Sequence, residues 1–201
     1  MTEYQSIGEA DLFDMATGQY LPNGVVVAAH VFLYRWRRRL SHFTALEDIH
    51  DVHNGVFLYK PVQWAFNRAK ICIEVNTTGR MIFRLLNHSL YDVALVDKAC
   101  ELRRELGRDH QPIGKEANLQ MTFGDLNGRE MQFPDHSTTR PLKQLLGLHS
   151  FAVWVEAHHS SPHAEISIPV CHASDAEKTK SPFNMFIEAW RNGADNPVSK
   201  V

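Results

Sequence analysis

Apolar positions cluster in short runs separated by turn residues, and the runs predict elements one by one. VVVAAHVFLY, residues 25–34, is rich in β-branched residues and follows the turn cluster MATGQYLPNG, which carries Gly18, Pro22, Asn23 and Gly24. That combination predicts a buried strand ending near His30. Residues 35–53 are polar, with Arg35, Arg37, Arg38 and Arg39 followed by His42, His50 and His53, and predict a loop with some helix. Gly55 then precedes a second short strand, VFLY.

Pro61 suits the first turn of a helix, and Val62, Ala65 and Phe66 share one face at spacings of three and four. KICIEV and MIFRLL flank NTTGR, the turn chemistry of a hairpin. Leu95, Ala99, Leu102 and Leu106 have helical spacing and Gly107 marks a stop, so a helix is expected over DVALVDKACELRRELG, packed on that hairpin. LQMTF and EMQF around GDLNGR predict another hairpin, and a long helix follows Arg140. Residues 158–181 are rich in Ser, Pro, His and Lys and read as a linker, ahead of a short amphipathic helix at FNMFIEAW. The expectation is an α+β domain over residues 1–157 and a linker with a C-terminal helix over 158–201.

Composition narrows the class. A chain of 201 residues with 44% hydrophobic content can bury a substantial core. Net charge is -2, from 21 basic and 23 acidic residues, so the chain as a whole lacks the positive field of a non-specific nucleic-acid binder. Cys72, Cys100 and Cys171 are far apart and form no C-x-x-C pair, which points to reduced packing residues. The start, MTEYQSIGEADLF, is polar and acidic, and no apolar run reaches membrane-spanning length, so a soluble, cytoplasmic protein is expected.

TGQYLPNGVVVAAHVF, HNGVFLYKPVQWAFNRAKICIEV and FGDLNGREMQFPDHSTTRPLKQLLGLHSF together resemble successive segments of the HNH endonuclease family in its fungal form, over roughly residues 14–155. The resemblance implies a ββα-metal finger embedded in additional antiparallel hairpins and helices. It assigns His30 as the general base that activates water and Asn54 as the residue that orients it. It puts Gln63 where the family has the histidine that binds a divalent cation.

A glutamine offers one weak carbonyl oxygen where a neutral imidazole offers a good ligand nitrogen. Ala29, before His30, supplies no donor, and Asp14 stands where relatives often carry a cysteine. His50, Asp51 and His53 include a His-x-x-His spacing that a metal can use, and also suit an ordinary polar loop. The tail residues His158, His159, His163, Cys171 and His172 resemble a metal site in composition but not in spacing. No bound metal or other cofactor is therefore expected, unless a divalent ion serves a nuclease.

Three functions follow from these residues. In the favoured one, the HNH-derived scaffold has lost metal-dependent DNA cleavage and become a biosynthetic cyclase or isomerase, pericyclic ring closure included, acting on a small apolar organic substrate. His30, Asn54 and Gln63 are then the catalytic set, and Tyr34, Trp36, Trp64 and Phe66 the aromatic substrate walls, although Trp64 and Phe66 equally suit a core. The second is an endonuclease with a compensated metal site, in which Arg35 to Arg39 with Tyr34 and Trp36 contact nucleic acid. The third is a non-catalytic binding protein. A homo-oligomer is compatible with each.

Overall fold

The computed structural model describes residues 11–32, 37, 38, 40–108, 112 and 114–160. Of the linker and last helix expected over residues 158–201, residues 158–160 are helical; the rest, with the tail histidines beyond Ser160, Tyr34, Arg35, Trp36 and Arg39, lie outside the described residues. The fold is α+β, and the described residues form three antiparallel strand pairs packed with five α-helices.

β1 (Leu12–Asp14) pairs with β2 (Gln19–Leu21), and the Met15 N–H donates to the Phe57 carbonyl at 2.9 Å, which ties this small pair to the next one. β3 (Val26–His30) pairs with β4 (Gly55–Tyr59), His30 opposite Gly55 and Ala28 opposite Phe57. Residues directly opposite share a face and neighbours along a strand alternate. One face therefore carries Ala28, Phe57 and His30, and the other Ala29, Val56 and Leu58. Ala28 is exposed and Phe57 is 42% exposed, whereas Ala29, Val56 and Leu58 are buried. The short α1 (Leu40–Phe43) lies in the long β3–β4 connection.

α2 (Lys60–Asn67) starts directly after β4, with Pro61 in its first turn, where a missing N–H leaves no helical bond unmade. Val62, Ala65 and Phe66 are fully buried, so the apolar stripe read from the sequence is the stripe that packs on the buried face of the β3–β4 pair. β5 (Ile71–Val75) and β6 (Met81–Leu85) form the predicted hairpin. Its partner is α5 (Lys143–Ser160), whose Leu145, Leu146, Ala152 and Val153 are buried and whose Trp154 indole donates to Glu74 Oε1 at 2.8 Å.

Two expectations are corrected. α3 (Leu95–Glu105) packs principally on α2 rather than on the hairpin. Lys98 Nζ lies 3.9 Å from the Trp64 ring centroid, a cation–π contact that turns the amphipathic helix toward α2. Gly107 follows the helix with φ +66, the left-handed conformation that ends it at small steric cost. The segment from Leu119 to Phe133 is not a hairpin. Thr122 and Asp125 form a reciprocal capping box that starts the short α4 (Phe123–Leu126), and the flanks pair elsewhere, Thr122 with Ala94 and Glu130 with Ile82. The local cap outcompetes the turn, since it satisfies two N–H groups that a hairpin loop would leave to water.

α4 also explains a glycine. The Gly124 N–H donates to the Tyr91 carbonyl at 2.9 Å, and a Cβ at Gly124 would lie 2.7 Å from that oxygen. Gly124→Ala is expected to destabilise the protein by about 1–3 kcal/mol through overpacking against backbone, read as a lower urea midpoint at unchanged slope. An unchanged midpoint would show that the Tyr91 segment yields freely.

Candidate active-site cavity

His30 ends β3 on the hairpin face that it shares with Ala28 and Phe57, and a cavity of about 460 Å³ opens beside it. Its apolar walls include Met15, Ala28, Val52, Val56 and Phe57, and its polar groups are His30, His50, Asp51, Ser137, Thr139 and Arg140. Ser137, Thr139 and Arg140 belong to the segment between Phe133 and α5, which the Leu142 N–H pins to the His53 carbonyl at 2.9 Å. No site role was read for this segment from the sequence. The Pro134 and Pro141 that bound it signal a loop, but nothing local signals that it closes over His30.

The His30 and His50 rings meet edge to face with centroids 5.3 Å apart. Burial, and then the neighbouring His50, pull the His30 imidazolium below its ordinary range, so at neutral pH the ring is uncharged and able to accept a proton. Asp51 and His53 form their own pair, Asp51 Oδ1 accepting from the His53 N–H at 2.8 Å and lying 2.7 Å from His53 Nδ1. Those hydrogen bonds hold the Asp51 carboxyl below its usual range.

Asn54 is fully buried in the turn before β4. Its Oδ1 accepts from the Phe32 N–H at 2.7 Å, while Nδ2 donates to the carbonyls of Ile49 at 2.8 Å and Phe32 at 3.3 Å. These bonds fasten both ends of the β3–β4 connection, and the side chain thereby sets the backbone on which His30 and His50 stand. Asp14 plays a similar part at the other edge. It is fully buried and accepts from the N–H groups of Thr17 at 2.9 Å and Tyr59 at 2.8 Å, from Ala16 at 3.3 Å, and from the Thr17 hydroxyl at 2.6 Å. Burial raises its carboxyl, against the pull of these bonds.

Gln63 sits half-buried on the first turns of α2 and is not among the residues lining the cavity. Trp64 is half-buried under Lys98, with Arg68 and Lys70 at 5.2 and 5.8 Å from its ring. Phe66 is fully buried and stacks on His149 with centroids 3.9 Å apart. Neither aromatic ring lines the cavity, which takes its apolar character from Phe57, Val52 and Met15 instead. Of the sequence-based set, the structure brings His30 to the cavity with Asn54 behind it.

A strand pair followed directly by a helix, with a histidine closing the first strand and an asparagine turning into the second, is the local arrangement that carries the cavity. Residues 14–74 match the family model described as HNH endonuclease. No curated protein and no solved structure matches the chain. The metal that this family implies does not suit the residues present. Ala29, before His30, and Gln63 on α2 supply no good ligand atom, and among the described residues no three His, Cys, Asp or Glu side chains converge as a ligand set. His50 turns to His30 and His53 to Asp51, so the His-x-x-His spacing does not converge either. No described helix is long and apolar enough to cross a membrane.

Proposed function

We propose that this HNH-type scaffold acts on a small, largely apolar organic molecule, as a cyclase or isomerase that needs no metal. The observation that carries the reading is the cavity of about 460 Å³ at His30, apolar-walled with a few polar groups. That volume and that mixture suit a small-molecule site. His30 is the base. It takes a proton from a substrate C–H or O–H and returns it at the position where the rearranged product needs it, which leaves the substrate's composition unchanged. Such a positioned base contributes about 10²–10⁴-fold, and holding the substrate in its reactive conformer supplies the rest, including for a pericyclic closure in which no proton moves. Asn54 positions His30 through the backbone, and Gln63 has no step in this scheme.

A second reading, a metal-dependent endonuclease, is favoured by the family match over residues 14–74. The two are separated by incubating supercoiled plasmid with the protein and Mg²⁺, Mn²⁺ or Zn²⁺. No cleavage that depends on His30 is expected. Metal-dependent nicking that His30→Ala abolishes would replace the small-molecule reading with the nuclease. If neither cleavage nor thermal stabilisation by any member of a broad apolar ligand library is found, a binding protein without chemistry is the better description.

A further inference from the structure

Arg140 stands on the cavity wall in an unusually fixed state for an exposed arginine. Its Nη1 donates to the carbonyls of Ser137 at 2.6 Å and Thr139 at 2.9 Å, and its guanidinium carbon lies 3.9 Å from the Phe133 ring centroid. Held at these points, the side chain has surrendered much of the freedom that an arginine otherwise loses on binding. Among the described residues no carboxylate forms an ion pair with it. Asp51, the acid of the cavity wall, is engaged by His53. The Nε and Nη2 edge of Arg140 makes no described hydrogen bond, and that edge matches the two oxygens of a carboxylate side by side.

We propose that the cavity takes a small amphipathic organic anion, with a carboxylate forked by Arg140, an apolar body on Val52 and Phe57, and the reacting group facing His30. This rests on the small-molecule reading above and adds the class of substrate. Val52 and Phe57 are 64% and 42% exposed, an apolar rim that a phosphodiester chain has no use for. The half-buried Asp51 beside it also repels a polyanion more than a single charge on an apolar body.

The test is calorimetric titration of the full chain with 3-phenylpropanoate, with its methyl ester, and with a twelve-base-pair DNA duplex, and binding is located by shifts of the His30 ring resonances. The acid is expected to bind about tenfold more tightly than the ester, since only the acid makes the charge-assisted fork. Arg140→Gln is expected to abolish that preference and leave the ester within about twofold of its wild-type affinity, while Arg140→Lys, a point charge without a fork, keeps part of it. Equal affinity of acid and ester, or a preference that survives Arg140→Gln, overturns the inference but leaves the cavity reading standing. If neither small probe binds and the duplex does so through Arg140, both readings fall.

Discussion

Asn54→Ala is expected to destabilise the protein by about 3–5 kcal/mol and to loosen the cavity around His30. The substitution removes three buried hydrogen bonds at once, those of the Asn54 amide with the Phe32 N–H and with the carbonyls of Phe32 and Ile49, and a buried hydrogen bond lost by truncating one partner costs about 1–3 kcal/mol. Asn54→Asp should be no milder. It keeps the acceptor for Phe32 but turns the amide donor into a second oxygen facing two carbonyls, and it buries a charge. Denaturant unfolding measures the loss, and the His30 ring resonances report whether its surroundings have become mobile. A loss below about 1 kcal/mol would mean that the connection between β3 and β4 is held by its packing, chiefly of Leu40 and Ile49, and not by the amide.

The second large effect is on acid stability. His149 is buried between α5 and α2, stacked on Phe66, and burial pulls its imidazole down to about 3. In the unfolded chain the same ring titrates near 6.5, so below that pH the unfolded state takes up a proton that the folded state refuses. The contribution of neutral His149 is therefore complete above pH 6.5 and is lost as pH falls toward 3. The slope is about 1.4 kcal/mol per pH unit, so roughly 2 kcal/mol disappears by pH 5. His149→Phe keeps a flat ring against Phe66 and has no proton to take up. The stability difference between wild type and this variant is expected to move by that amount in favour of the variant between pH 7 and pH 5. Parallel curves would show that the proton goes elsewhere. Taking the difference cancels His30, whose shift has the same sign, and Asp14, whose raised carboxyl has the opposite one.

The contrast between α2 and the segment around α4 explains how much of the fold was legible. α2 carries Pro61 at its start and Val62, Ala65 and Phe66 on one face, and all of these are local signals that burial then rewards. The β5–β6 hairpin was equally plain, because NTTGR is turn chemistry between two apolar runs. At residues 119–133 two local signals competed. Apolar runs around GDLNGR suggested strands, yet the Thr122–Asp125 box starts a helix, and the flanks found partners at Ala94 and Ile82, far along the chain. Pairing at such distance leaves no mark in the segment itself.

The site divides along the same line. His30 at the end of an apolar strand and Asn54 beside Gly55 could both be singled out in the chain, and the structure sets His30 opposite Gly55, next to Asn54. Strand alternation even assigns faces, since Ala29 and His30 must point to opposite sides of a pleated pair. What tertiary structure alone decided is which side is covered. α2 packs on the β3–β4 pair, the Phe133–Pro141 segment comes round to the strand pair as well, and the cavity forms at His30 between parts of the chain about a hundred residues apart. Aromatic candidates near His30 in sequence, Trp64 and Phe66, were drawn into the helix packing, while Phe57 and Arg140 took the cavity wall. Local periodicity determines which face of an element a residue occupies, but only long-range packing determines whether that face meets another element, a cavity or water.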